Sequence, residues 1–287
     1  MTLRVLGLIV VIITLPNAVR AQAVLAPTPS SSPSTLCAQG LSAIVSRPTQ
    51  TTSACTVDSN HILIESGFQA ESAMAASPYA TQTYPNAVIR IGTTVPHLEL
   101  DVTPPSAIRS AGMTFASDAA FGVKYLMSYA ATFAYGVNIL LTVPTGSDAT
   151  ASNNPNALGS SNGHGYIGNV NFQGAIGKVV GYGGTLSFNS LAFPVSPSVT
   201  ARYVSFVPSL DVTFTLSGTT LFVEGYLQSH GEGPGTATHS WFDAGVTKDF
   251  GKTQYDVEFG VSNGVRPMTG MTPIRRRFVG AGVSYGF

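Results

Sequence analysis

The sequence predicts an all-β chain forming a transmembrane antiparallel up-and-down β-barrel of about 12 strands with a polar lumen. Three observations carry that expectation. Charged residues make up only 10% of the 287 positions, where soluble globular chains carry roughly 25%, so too little charge is present to coat a water-facing surface of this size. Segments of about ten residues alternate apolar and polar with period two and are separated by turn residues. The connections between those segments alternate short and long, as the two rims of an outer-membrane barrel require.

The charge balance removes one class of function at once. Lys and Arg total 14, Asp and Glu total 14, and the net charge is zero; no basic footprint for nucleic acid exists, and nucleic acid is not expected as a partner. With 30 Gly, 18 Pro and 44% hydrophobic residues, the chain is apolar and turn-rich, and composition gives no reason for disorder over most of its length.

Residues 1–23 read as a secretory signal peptide. Arg4 supplies the basic start, Val5 to Leu15 the apolar core, Pro16-Asn17 the break and Ala21 and Ala23 the small residues at which cleavage is expected. An apolar core of this length falls short of the roughly 20 residues a membrane helix needs. The remainder is therefore expected to be exported across a bacterial inner membrane. Residues 24–59, rich in Pro, Ser, Thr and Ala without apolar periodicity, read as a flexible periplasmic segment. It holds both cysteines, Cys37 and Cys55. In an oxidising compartment this isolated pair is most economically a disulfide closing a loop of about 18 residues, worth roughly 3 kcal/mol on the chain-entropy model; two free thiols are the alternative.

Residues 60–287 read as the barrel. Strands are expected at 60–70, 83–94, 96–104, 114–127, 131–144, 163–176, 179–190, 200–216, 219–229, 238–249, 253–263 and 274–287. In the last, Val279, Ala281, Val283, Tyr285 and Phe287 share one face and Gly280, Gly282, Ser284 and Gly286 the other. Tyr255, Val257, Phe259 and Val261 oppose Gln254, Asp256, Glu258 and Ser262 in the same way, and Phe133, Tyr135, Val137, Ile139, Leu141 and Val143 oppose Ala134, Gly136, Asn138 and Thr142. Short connections at Gly177-Lys178, Ser217-Gly218 and Phe250-Gly251-Lys252 contrast with long ones at 146–162, 229–237 and 264–273.

Closure follows because backbone N–H and C=O groups cannot be left unpaired in hydrocarbon. The greasy face then points to lipid. The lumen is expected to be lined by Glu65, Arg90, Glu99, Asp101, Lys124, Asn138, Glu224, Asp243, Asp256 and Glu258, together with Asn169, Asn171 and Gln173. A soluble β-sandwich or lipocalin-like barrel shows the same alternation turned inside out, but its polar faces would need to be rich in charge. Here they are largely Gly, Ser, Thr and Asn.

The terminal Val283-Ser284-Tyr285-Gly286-Phe287 resembles the C-terminal signal by which barrel-assembly machinery recognises Gram-negative outer-membrane proteins, with Tyr285 and Phe287 in the signal positions. A wider resemblance rests on His61-Ile62-Leu63-Ile64-Glu65-Ser66-Gly67-Phe68, Ile89-Arg90-Ile91-Gly92, Leu98-Glu99-Leu100, Gly122-Val123-Lys124-Tyr125, Val143-Pro144-Thr145-Gly146 and Trp241-Phe242-Asp243-Ala244-Gly245. These short motifs, spread from about residue 60 to the end, resemble the family of outer-membrane transporters named for the MetA pathway of phenol degradation. The resemblance implies a barrel that passes small, aromatic or hydrophobic solutes, and no enzymatic activity.

Twelve strands enclose more room than the roughly eight whose side chains can fill the interior, so a channel or binding cavity is available. Its acid-rich lining favours cations or neutral solutes; alternatively the charges pair across the lumen, fix strand register and close it. A lipid hydrolase is the catalytic rival. Of His61, His97, His164, His230 and His239, His164 lies in a Gly-rich loop beside Ser160 and Ser161; no catalytic residue, metal site or cofactor is expected. Arg275-Arg276-Arg277 is the one basic run and either meets lipopolysaccharide phosphates at the extracellular rim or points inward to oppose carboxylates. Phe250, Tyr255, Tyr285, Phe287 and Trp241 are expected in interfacial aromatic girdles. The function expected is an outer-membrane channel or transporter for passive movement of small solutes, with outer-membrane lipid and lipopolysaccharide as partners. A structural or adhesive barrel with a closed lumen is the alternative.

Overall fold

Period-two segments bounded by turn residues pair with their neighbours in sequence, and a run of them long enough meets its own beginning. The computed structural model describes residues 36–38, 40–47, 49–73, 81–110, 113–147, 163–196, 199–229, 238–263 and 275–287. The strands are β1 (Ile62–Ala73), β2 (Thr81–Gly92), β3 (Leu98–Thr103), β4 (Ala107–Ser110), β5 (Met113–Ala116), β6 (Ala119–Tyr129) and β7 (Phe133–Val143). They continue with β8 (Gly165–Ile176), β9 (Val180–Ser196), β10 (Val199–Leu216), β11 (Thr219–Gln228), β12 (His239–Phe250), β13 (Thr253–Ser262) and β14 (Arg276–Gly286).

Twelve of these strands, β1–β3 and β6–β14, form a closed antiparallel barrel, because β1 pairs with β2 on one side and β14 on the other. The backbone of Phe287 donates to the carbonyl of Ile62 at 2.9 Å and completes the seam. β4 and β5 form a small hairpin attached to the first residues of β2, through Gln82, Thr83 and Tyr84. Tight turns follow β2, β6, β8, β10 and β12 on one rim, where the barrel also begins and ends. At Ser217-Gly218 both residues have positive φ, 50° and 70°, the conformation whose twist matches a two-residue hairpin. The opposite rim carries the other connections, most of which lie outside the described residues.

The barrel wears its apolar side chains outward. In β13, Val257 is 55% exposed while its neighbour Asp256 is 3% exposed, and the same parity runs through Phe242, Val246, Val279 and Val283 on the adjoining strands. At the turn rim, Phe250 meets Tyr255 edge-on at 6.0 Å and Tyr285 meets Phe287 at 4.7 Å, all four exposed on the outside. Among the described residues no helix is long and apolar enough to cross a membrane; the outward apolar belt is built by strands.

Four sequence expectations are corrected. The strand expected at 114–127 is β5 and β6, interrupted at Ser117-Asp118, and β4 went unread because four residues after Pro104-Pro105 offer no period to detect. The strands expected at 179–190 and 200–216 run further, β9 to Ser196 and β10 from Val199, and form the longest hairpin of the barrel. Trp241 does not join an outer girdle: it is 7% exposed and faces inward with Asp243, two residues on. Residues 36–59 are not a flexible extension. Apart from positions 39 and 48, they form a 3₁₀ turn at Leu36–Ala38, one helical turn at Leu41–Ile44 and an extended stretch with Thr51 and Ser53 to Val57 buried within the barrel. The signal peptide expected at residues 1–23 lies outside the described residues.

Placing a charge on the outward belt tests its exposure to hydrocarbon. In phospholipid, Val257→Arg at the middle of β13 is expected to destabilise the folded barrel by about 2–4 kcal/mol, measured as a shift in the urea unfolding midpoint. An unchanged midpoint would place this face against water.

Candidate lumen site

Strand parity brings most of the acidic and basic residues of β1, β2, β3, β6, β11, β12 and β13 to the inside. Glu65, Arg90, Glu99, Asp101, Lys124, Asn138, Glu224, Asp243, Asp256 and Glu258 are all buried, as is Asn171. They divide into three groups according to the wall they occupy.

On the β1–β3 wall Arg90 sits between two carboxylates. Its Nη1 is 2.9 Å from Glu65 Oε1 and its Nε 2.7 Å from Glu99 Oε1, a buried triad. The fork geometry of a guanidinium suits such double pairing. Arg90 also donates to the backbone carbonyls of Ile44 and, at 3.0 Å, Cys55. On the β7–β9 wall the lining is amide and hydroxyl: Asn171 donates to Asn138 at 3.0 Å and accepts from Thr185 at 3.0 Å. On the β11–β13 wall Glu224, Asp243, Asp256 and Glu258 cluster with a single nearby cation among the described residues, Arg47, at 3.5 Å from Asp256.

The N-terminal segment is held by these walls because an irregular stretch carries backbone N–H groups that need acceptors. The carboxylates supply them. Ser46 and Arg47 donate backbone N–H to Glu65 at 3.0 and 2.9 Å, Gln50 and Thr51 to Glu224 at 2.7 and 2.5 Å, and Val57 to Glu99 at 2.5 Å. Ala54 donates to the side-chain oxygen of Gln173 at 2.8 Å, and Gln173 donates back to the carbonyl of Ala43 at 3.0 Å. Cys37 and Cys55 are joined in a disulfide. Cys55 lies in a small apolar cluster with Leu36, Ala54, Leu126 and Ala134, and Val45, Val57 and Leu63 form a second. A Cβ at Gly136 would come within 2.9 Å of the Ala54 carbonyl, so a glycine is needed there for the segment to lie this close to β7.

Several residues of this interior escaped the sequence reading. Arg47, Thr51 and Ser53 were unreadable because nothing in a Pro/Ser/Thr-rich stretch reveals what it packs against. Trp241 and Phe278, by contrast, share parity with the inward residues Asp243 and Gly280, and strict counting along β12 and β14 places them inside. There Trp241 stacks on Tyr226 at 6.0 Å and lies 5.6 Å from Phe278. Of the basic run, Arg276 points inward to Glu71 at 3.1 Å, while Arg275 and Arg277 are exposed. His164 is exposed and its carbonyl accepts from Arg202 at 3.0 Å; Ser160 and Ser161 lie outside the described residues. No group of three or more His, Cys, Asp or Glu able to hold a metal occurs among the described residues.

Closed barrels of this build are found among solved structures. An outer membrane channel from Pseudomonas putida F1 superposes with a TM-score of 0.59 over 84% of this chain and 100% of its own, at 15% identity. NanC porin superposes at 0.54 over 77% of this chain and 98% of its own, at 12% identity. The fold is therefore that of a porin-like outer-membrane β-barrel. No protein-family model matches the chain, and no curated protein matches it in sequence; the pathway family suggested by the short motifs is not among the findings.

The triad and the disulfide make separable contributions. Arg90→Met leaves Glu65 and Glu99 buried without their cation and is expected to cost about 3–5 kcal/mol, read as a lowered unfolding midpoint in detergent. Cys37→Ser is expected to loosen the segment's docking by about 3 kcal/mol while leaving the barrel's heat-modifiable migration unchanged; the readout is protease cleavage within residues 36–59.

Proposed function

We propose that the chain is a passive channel for small solutes in the outer membrane of a Gram-negative bacterium, with its own N-terminal segment set inside the barrel to narrow the path. One observation carries this reading: a belt that is apolar outward encloses an interior that is charged, polar and incompletely filled. Cavities of about 240 to 280 Å³ remain beside the segment, close to the lower end of small-molecule pockets, roughly 300 Å³. Selectivity in such a path is set by width and by the charges that line it.

The aromatic solutes that the family resemblance implies are supported by the inward rings of Phe222, Tyr226, Trp241 and Phe278, which few water-filled pores need. Exposed Arg275 and Arg277 at the loop rim are suited to lipopolysaccharide phosphates, and the terminal Tyr285 and Phe287 to recognition by barrel-assembly machinery. The porin and the channel that share the fold support a transport role over an enzymatic one.

Purified, heat-modifiable protein in planar bilayers is expected to give discrete conductance steps. Removing residues 36–59 is expected to raise the conductance several-fold, as width governs flux. A membrane that stays sealed with correctly folded full-length and truncated protein would reject the channel and leave a closed structural barrel.

A further inference from the structure

The four carboxylates of the β11–β13 wall are not equally provided for. Glu224 accepts three hydrogen bonds from the segment, from the backbone of Gln50 and Thr51 and the hydroxyl of Thr51. Asp256 faces Arg47. Among the described residues Asp243 and Glu258 accept no hydrogen bond from the segment; Asp243 is hydrogen-bonded to Glu224 through its carboxyl group. Asp243 is 2% exposed, and its Oδ1 has no hydrogen-bond partner. In the barrel wall Asp243 stands opposite Gly260 and Glu258 opposite Gly245, so the two lie diagonally on the inner face, within reach of one bound group.

Among the described residues, Arg47 is the single cation that lines a cavity with them, and it is shared with Asp256. Arg90 is committed to Glu65 and Glu99, and Arg276 to Glu71. Lys124 belongs to a different cavity, lined by Asp101, Asn138 and Asn169. Arg47 is held only loosely, at 3.5 Å from both Asp256 and the Asn86 carbonyl. Its guanidinium fills a recess that exists because Gly67 and Gly282 lack side chains: a Cβ at either would collide with it. This wall thus already accommodates one planar cation. Burying carboxylates without a counter-charge is costly, so the remaining pair calls for a second.

The space for it is present. A cavity of about 240 Å³ beside Arg47 is lined by Asp243 and Glu258 and by the rings of Tyr226 and Phe278. Tyr226 and Phe278 lie within three residues of the loop-rim ends of β11 and β14, the side from which an external solute arrives if the loops face outward. Aromatic walls next to carboxylates suit a weakly hydrated organic cation; a metal ion would ask instead for six or more oxygens at about 2.3–2.6 Å in the case of calcium.

We infer that this cavity is a binding site for a small organic ammonium or guanidinium solute, its charge taken by Asp243 and Glu258 and its apolar body by Tyr226 and Phe278. The inference rests on the channel reading only in that solute must reach the lumen; binding itself needs no conduction.

The test is equilibrium titration of the full-length folded barrel in detergent at pH 7 with benzylammonium, benzyl alcohol and benzoate, three probes of one shape and different charge. The chain has a single tryptophan, Trp241, stacked on Tyr226, and its fluorescence supplies the signal. Benzylammonium is expected to give a saturable change with an affinity at least tenfold above that of the alcohol and the carboxylate. Asp243→Asn combined with Glu258→Gln is expected to remove at least a tenfold part of that affinity. Equal affinity for benzylammonium and benzyl alcohol, as would follow if both acids simply hold protons, overturns the inference, as does undiminished binding by the double variant. Should the double variant fail to fold, the comparison of the three probes on the unaltered protein decides. A sealed bilayer would count against the channel and not against this site, whereas a conducting barrel that ignores benzylammonium would do the reverse.

Discussion

Closure of the sheet is the constraint on which everything else depends. A strand edge in hydrocarbon leaves N–H and C=O groups with no partner, at several kcal/mol each, so β1 has to meet β14 as well as β2. Once that ring is shut, side-chain parity sorts every strand into a lipid-facing and an inward set, and a residue cannot change sides without a register shift. The carboxylates of β1, β3, β11, β12 and β13 are therefore forced into one enclosed space. Their chemistry is a consequence of topology before it is a feature of any one site.

That enclosed space needs hydrogen-bond donors and some positive charge. The N-terminal segment provides both, and the barrel returns the favour. An irregular stretch of chain has orphan N–H groups, and Glu65, Glu99 and Glu224 are unfulfilled acceptors facing inward; each resolves the other's deficit. Arg90 fastens the arrangement from the barrel side by donating to carbonyls of the segment while pairing with two of the same carboxylates. The disulfide shortens the segment's unfolded reach so that docking costs less chain entropy.

The barrel was legible from sequence because its period-two pattern repeats over a dozen strands, so an error at one boundary does not disturb the rest. Parity along β13 and β14 assigns Asp256, Glu258 and the glycines of the last strand to the inside with no structural knowledge. What parity could not supply was a partner. Residues 36–59 have no periodicity, and their order comes wholly from contacts with strands far away in sequence, such as Thr51 with Glu224 and Ala54 with Gln173. β4 is hidden for a related reason: a four-residue strand carries less pattern than noise. Trp241 differs for another reason: the habit of tryptophan at membrane interfaces points it outward, while the parity of its own strand turns it in.

The segment also explains why the interior is neither a plain pore nor a packed core. It is fastened at discrete points, and between those points the walls stay apart. On the β1–β3 side Glu65 and Glu99 each meet both the Arg90 guanidinium and a backbone donor of the segment. On the β11–β13 side the segment's hydrogen bonds and ion pair go to Glu224 and Asp256. Asp243 and Glu258 share a cavity with Arg47 and Gln50 of the segment, and the rings of Tyr226 and Phe278 form part of its wall. A lumen lined to be satisfied by its own chain would have ended with a third cation at that place. One that leaves two acids beside aromatic rings sets a carboxyl pair next to a greasy wall, a combination that an amphipathic cation serves well.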